Sequence, residues 1–352
     1  MKKFKAAVIG GGSGGRLSLN ALAASERFDL VAVADINADA RTKLASEYTG
    51  IKTFTNAEEL FAACPVDVVC VSTWAPSHEE ISLAALKLPL AGILVEKPLG
   101  HTAASGQRIL EAVKAKKIPM VTPHNLLVNE TPVDIMRRLR AGEIGSLKLV
   151  EIQCGQWDLF NAGIHWINLF VNLTGLEPID YVMALCDGST RTYRDGMQVE
   201  TTSITYVQTR SGVRMVMQCG DDVVPNDGSN RILFRLVGEF GIIEFHAWAN
   251  GLRILNAAHP DFQRFEVAAL PFSGHRAHLE NLAAMIDAGK AGYSIPESSL
   301  TALEICEAAY LSSKHGCRVN FPYQSFTPPP RGEWEMGIPY NGQGGGRDGR
   351  KL

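Results

Sequence analysis

The chain has 352 residues, enough for two domains of ordinary size, because a single hydrophobic core stops growing before that length. Its 46% hydrophobic and 20% charged residues read as a soluble globular protein. A formal net charge of -3 offers no broad basic field, which argues against nucleic acid and an anionic membrane as partners. The seven cysteines at 64, 70, 154, 186, 219, 306 and 317 contain no C-x-x-C pair, so free thiols in a reducing compartment are expected rather than a disulfide framework. Cys/His clusters tight enough to chelate zinc are not found, and no metal is expected. Met1-Lys-Lys-Phe-Lys5 has the charge of a signal peptide, but the apolar stretch Ala6–Ile9 is too short for its hydrophobic region. The most hydrophobic segment, 159–173, is interrupted by Asn161, His165, Asn168 and Asn172 and does not read as a membrane span. A cytoplasmic protein is the expectation.

In chain order, residues 5–9 form a short apolar strand ending in glycines, followed by a helical pattern on Leu17, Leu19, Leu22 and Ala23. A second strand, 30–34, stops at Asp35. Helices over 38–48 and 56–63, a strand at 66–71, a helix over 78–87, a strand at 92–95, a helix at 103–116 and a strand at 120–122 complete the pattern. Apolar runs without polar alternation suit parallel strands covered on both faces, and their alternation with helices implies right-handed βαβ units. The expected fold class is α/β: an N-terminal Rossmann domain with a doubly wound parallel sheet over 1–123, then an α+β domain over 124–322. In the second domain 148–154, 201–209, 213–219, 232–237 and 241–245 are strand-like, with turns at 210–212 and 238–240. They predict a mostly antiparallel open sheet, closed by helices near 275–288 and 299–315. The tail, 323–352, is rich in Pro and Gly and is expected to be disordered or to dock on a neighbouring subunit.

Gly10-Gly-Gly-Ser-Gly-Gly15 fits G-x-G-x-x-G with Gly10, Gly12 and Gly15 in register. The first glycine permits the tight turn, the second lets the backbone approach a pyrophosphate, and the third lets helix and strand pack closely. With Ser13 and Gly14 they present free N–H groups at the positive end of the following helix. The motif lies between a strand and a helix, and Asp35 closes the next strand 20 positions after Gly15, which is the context a dinucleotide site requires. Asp35 is expected to accept hydrogen bonds from the adenosine ribose hydroxyls and to repel a 2′-phosphate, so NAD is the expected cofactor. Arg41 is near enough in sequence to offset that repulsion, which leaves NADP open. Glu96-Lys97-Pro98 follows the strand ending at Val95, beyond the carboxyl end of a strand, where ligands bind in open α/β sheets. From the tripeptide alone a nicotinamide-side lysine and a solvated turn lysine are equally good readings. Trp157–Trp166 reads as an amphipathic helix in which His165 is either catalytic or a buried core side chain.

These pieces, with Val71-Ser-Thr73, His78, Gly142-Glu-Ile-Gly145, Gly163-Ile-His165 and the late helix carrying Glu304, Tyr310 and Ser312, occur in an order and spacing that resemble the Gfo/Idh/MocA oxidoreductases, the glucose–fructose oxidoreductase and inositol dehydrogenase group. The likeness runs over about residues 5–320. It implies NAD(P)-dependent redox chemistry on sugars, polyols or their derivatives. It implies that Thr73, Trp74, His78 and Glu96 line the cofactor site with the glycine turn and Asp35. It further implies that Lys97 touches the nicotinamide ribose and the reacting hydroxyl, and that His165 is the base. A histidine titrating near neutrality suits that base, and the lysine charge stabilises developing alkoxide. The resemblance also implies pairing through the open sheet face, so a homodimer or homotetramer is expected.

The sequence departs from the family pattern in places. Asn161 stands where an aspartate is common, four residues before His165, and Asn168 replaces another three after it. Spacing i,i+4 on a helix puts Asn161 beside His165 but without the charge that raises a histidine's basicity. Trp157 and Asp158 lie one turn earlier, with Asp158 as a substitute carboxylate. Trp74-Ala75 replaces a common Pro-Asn, and His124-Asn125 at the interdomain crossing replaces a segment that often carries arginine, favouring a neutral sugar. His275 and His278 either reach the site or lie at a helix start on the surface. The function these residues support is an NAD-dependent dehydrogenase that oxidises a monosaccharide, glycoside or cyclitol. The alternatives are a glycoside-cleaving enzyme with transient oxidation and a non-catalytic NAD-sensing regulator.

Overall fold

Strand Phe4–Ile9 (β1) is fully buried from Ala6 onward because helices cover both of its faces. Ala6 and Val8 pack with Leu19, Leu22, Val33 and Leu94 on one side, while Ala7 and Ile9 pack with Ala34, Leu60, Val71 and Ile109 on the other. The computed structural model describes residues 3–225, 231–322, 336–337, 339 and 346–348. With Phe28–Ala34 (β2), Lys52–Phe54 (β3), Val68–Val71 (β4), Gly92–Val95 (β5) and Met120–Val121 (β6), β1 forms a six-stranded sheet. Every pairing in it is parallel, in the order β3-β2-β1-β4-β5-β6. The order reverses between β1 and β4, the switch point where a doubly wound sheet opens a crevice for a ligand. This is the Rossmann arrangement the strand–helix alternation predicts.

The chain divides into two units, Met1–His124 with Phe272–Leu300, and Asn125–Pro271 with Thr301–Leu352. The sequence pattern places the whole of 124–322 in the second domain. Helix Gly274–Ala288 belongs instead to the first unit, because Leu279, Leu282 and Ala283 fill the layer beside Val8, Leu19 and Val68. Gly92 in β5 has no side chain where Leu282 and Ile286 approach, and a Cβ there would stand only 3.0 Å from both.

In the second unit, nine strands form one mixed sheet: Leu147–Gly155 (β7), Ile179–Cys186 (β8), Thr202–Thr209 (β11), Arg214–Gly220 (β12), Ile232–Gly238 (β13), Gly241–His246 (β14), Leu252–Asn256 (β15), His259–Phe265 (β16) and Val319–Asn320 (β17). Only β7 and β12 pair in parallel, so the predicted mostly antiparallel sheet is observed. Arg191–Arg194 (β9) and Met197–Val199 (β10) form a separate hairpin. Gly346–Asp348 (β18) pairs with β9, so this part of the tail is ordered against the second unit where disorder was expected. Most of the tail lies outside the described residues.

The sequence pattern does not mark β8, β15 and β16, which are partly exposed and lack a clean apolar alternation. Nor does it mark helix Glu130–Arg140, whose Pro132 lies in the first turn, where proline is tolerated. No helix among the described residues is long and apolar enough to cross a membrane.

Candidate active site

The carboxyl ends of β1, β2, β4 and β5 gather the predicted cofactor residues. Gly10 has φ +95°, and a Cβ there would lie 2.6 Å from the Ser72 carbonyl oxygen. A Cβ on Gly15 would overlap the Gly10 carbonyl, so only glycine lets helix Ser13–Ala24 start this close to β1. The space beside Gly12 is open, and the helix start has neither a side-chain cap nor an acidic residue in its first turn. These are the features a pyrophosphate cradle needs: free N–H donors, a helix dipole and room for the anion. The residues therefore fit a dinucleotide.

Asp35 leaves the end of β2. Its Oδ2 accepts the Gly11 N–H at 2.6 Å and its Oδ1 accepts the Asn37 N–H at 2.8 Å, so the carboxylate also braces the glycine turn. Arg41 donates to the Asp35 main-chain carbonyl at 2.7 Å. This contact engages the arginine with the backbone rather than with the carboxylate.

Glu96 follows β5 and is buried. Its Oε2 accepts the Lys97 N–H at 3.1 Å, its Oε1 meets His275 Nε2 at 2.5 Å, and its side chain packs beside Gly14. Burial opposes its charge, but His275, Lys97 and His78 hold it below the usual carboxylate range. One buried carboxylate thus connects the phosphate turn to the main chain of Lys97. His275 is buried on this carboxylate, not a surface residue of a helix start, and its partner lies 179 positions away. His78 is also buried, with one ring nitrogen 2.9 Å from the Pro98 carbonyl and the other 2.9 Å from that of Thr73. It ties the loop after β5 to the loop after β4. Thr73 Oγ1 accepts from Ser77, and Trp74 stands half exposed beside it. His124, expected to bind substrate hydroxyls, is fully buried with Nε2 2.8 Å from Ser299 Oγ. Burial first, then the His278 and Lys97 charges, push it well below the usual histidine range, so it is held neutral. Its neighbour His278 is pushed down to about 4 by burial and by His275. Asn125 opens a short 3₁₀ turn in the second unit and remains partly exposed.

In the second unit, helix Ile164–Leu173 carries His165, but the residues before it do not form the regular helix expected. Leu159–Gly163 is a π-helical turn, closed by the Gly163 N–H donating to the Asp158 carbonyl at 2.8 Å. Asn161 lies inside this π-turn, so its spacing from His165 is not that of a regular α-helix. Asp158 caps this turn, accepting the Asn161 N–H at 2.6 Å and the Asn161 side chain at 3.2 Å. Its other oxygen pairs with Arg194 at 2.7 Å, so the substitute carboxylate is engaged in holding the turn. Arg194 also lies over the Trp157 ring at 4.7 Å and accepts from Asn161 Nδ2 through its carbonyl at 3.4 Å. Trp157 itself is 42% exposed.

Glu200, unremarked in the sequence, is buried beneath the same turn. Its Oε1 accepts the Leu159 N–H at 2.6 Å and its Oε2 accepts the Tyr310 hydroxyl at 2.8 Å. Burial and the nearby Asp158 carboxylate push its acid up to about 7. Arg194 and Glu200 lie 36 and 41 positions from their partners, and no sequence spacing signals contacts that distant.

With this geometry in place, the chain is an α/β nucleotide-binding protein with a second, sheet-based unit. Residues 4–123 match the family described as "Oxidoreductase family, NAD-binding Rossmann fold", GFO_IDH_MocA. The rhizopine catabolism protein MocA of Rhizobium meliloti is 29% identical over 201 residues, an alignment spanning 52% of this chain and 61% of that protein. D-Apiose dehydrogenase of Paraburkholderia graminis is 26% identical over 345 residues, 90% of this chain and 89% of that protein. The structure of levoglucosan dehydrogenase in complex with NADH and levoglucosan superposes with a TM-score of 0.78 at 17% identity, covering 92% of this chain and all of that one. At that identity the likeness is one of fold. Residues 4–123 thus match the NAD-binding Rossmann domain of the Gfo/Idh/MocA oxidoreductases.

Two outcomes test this geometry. Replacing Asp35 by Ala removes a charged acceptor and a brace of the glycine turn, and is expected to weaken NAD roughly 10- to 150-fold by calorimetric titration. Glu200 keeps its proton in the folded state between the unfolded carboxyl value near 4.5 and about 7. Folded protein then binds the extra proton, so the stability from this group is complete below that window and is lost as pH rises through it. The Glu200→Gln variant is neutral throughout, so its melting temperature relative to wild type should rise between about pH 5 and about pH 8. A difference that does not change with pH contradicts the assignment.

Proposed function

We propose that this protein is an NAD-dependent dehydrogenase oxidising a hydroxyl of a monosaccharide, glycoside or cyclitol. The observation that carries the reading is the setting of Lys97. It leaves the carboxyl end of β5 beside the cofactor crevice, and Glu96 holds its N–H while packing on the phosphate turn. Relatives named D-apiose dehydrogenase and inositol 2-dehydrogenase support a sugar or cyclitol as substrate.

Bound NAD supplies the hydride acceptor. The Lys97 ammonium stabilises the negative charge that grows on the reacting oxygen as its proton leaves. His165 takes that proton as the general base. Asp158, Arg194 and Glu200 fix the π-turn ahead of His165 and so set the position of the base. Asn161 and Arg194, which rests on the Trp157 ring, supply polar contacts for hydroxyls.

The protein also works as a homo-oligomer in this reading. Met183, Leu185 and Ile204 are exposed on the outer face of β8 and β11, and Leu185 and Ile204 are cross-strand partners. The seven free thiols suit a reducing cytoplasm.

The test is a sugar and cyclitol panel read by NADH absorbance. Lys97→Ala and His165→Ala are each expected to lower kcat by about 10²-fold or more, with NAD affinity within about threefold of wild type. Near-normal turnover in either variant removes that residue from the chemistry.

A further inference from the structure

Trp248 stands 51% exposed in the turn after β14, yet both ends of that turn are pinned. The Ala247 N–H donates to the Ile232 carbonyl, and the Ala249 N–H to that of His246, each at 3.1 Å. Thr131 Oγ1 bridges the turn, donating to the Ala249 carbonyl at 3.2 Å and accepting the Gly251 N–H at 3.0 Å. Asn250 and Val267 exchange two more hydrogen bonds, at 2.9 and 3.0 Å. The indole is fixed from below as well. It meets the ring of Trp166 at 5.7 Å, nearly edge to face, and Trp166 is buried against Phe234, which stacks on Phe245 at 4.8 Å. The Trp248 ring also meets that of His165, with ring centroids 6.2 Å apart at 80°. A rigid, half-exposed indole therefore adjoins the ring assigned as the base.

We infer that Trp248 is the platform for the substrate ring, and that it restricts the site to cyclic polyhydroxy compounds, pyranoses and cyclitols, over open-chain polyols. The inference rests on the proposed role of His165. An aromatic face carries negative charge density and attracts the C–H groups that a saturated sugar ring presents together on one side. An open-chain polyol lacks that continuous face and must freeze its rotors to imitate it. A platform already immobilised by the core gives up little entropy on binding. Trp157 is less suited to the role, because the Arg194 guanidinium already lies over its ring.

The experiment compares wild type, Trp248→Ala and Trp248→Phe on myo-inositol, D-glucose and D-xylose against D-sorbitol and xylitol, in the NAD-loaded protein. Trp248→Ala should raise KM for the cyclic compounds by about 10- to 100-fold with kcat within about threefold. Trp248→Phe should recover most of that loss, and neither variant should change KM for the open-chain compounds. Independently of turnover, titrating a cyclic compound should shift the indole ¹H–¹⁵N resonance that disappears in Trp248→Phe. Unchanged KM in Trp248→Ala, equal losses for cyclic and open-chain compounds, or an unmoved Trp248 resonance overturns the inference. If His165→Ala stays active while the Trp248 resonance still shifts, the platform stands and the assignment of the base fails.

Discussion

Everything at the cofactor end depends on one close approach, that of Gly15 to the Gly10 carbonyl. No side chain fits between them, so helix Ser13–Ala24 begins against β1 with its first N–H groups uncapped. Once the helix is seated there, Asp35 can reach the Gly11 N–H from the next strand, and Glu96 can rest on Gly14 from β5. The carboxyl of Glu96 then meets the Lys97 N–H and His275. Thus a steric requirement at two glycines propagates through two carboxylates to the main chain of the lysine. His78 reinforces the same frame by joining the loops after β4 and β5.

This part of the molecule was largely legible in the sequence, because its signals are local. An apolar run, a glycine turn and an acidic residue at the next strand end are tied to one another by backbone geometry within about 30 residues. What escaped was the return of helix Gly274–Ala288 to the first unit. Its apolar positions, Leu279, Leu282 and Ala283, show that it packs on something but not on which sheet. His124 misled for a related reason: a polar residue at a domain crossing invites a binding role, yet it is buried and held neutral against Ser299.

The second unit was legible in its sheet and much less so in its chemistry. Alternating runs marked β7 and β11 to β14, while β8, β15 and β16 lack a clean pattern. The segment before His165 has the composition of an ordinary helix, and only the fold shows that it is wound as a π-turn. The carboxylate missing at Asn161 does not reappear at that position. Instead two buried carboxylates, Asp158 and Glu200, hold the N–H groups of Asn161 and Leu159, and Arg194 and Tyr310 hold the carboxylates in turn. Apart from the local Asp158–Asn161 bond, this network is built from contacts across 36, 41 and 110 residues, where sequence spacing carries no information. It stiffens the entry to the His165 helix.

The central claim is that a hydride passes from a carbinol carbon of a ring-form sugar or cyclitol to NAD. The most direct measurement incubates the protein with NAD and C-deuterated myo-inositol or D-glucose and follows the label by mass spectrometry. The account predicts one deuterium per turnover in the NADH formed, with none released to solvent. NADH without label, or deuterium lost to water with no NADH accumulating, would contradict it.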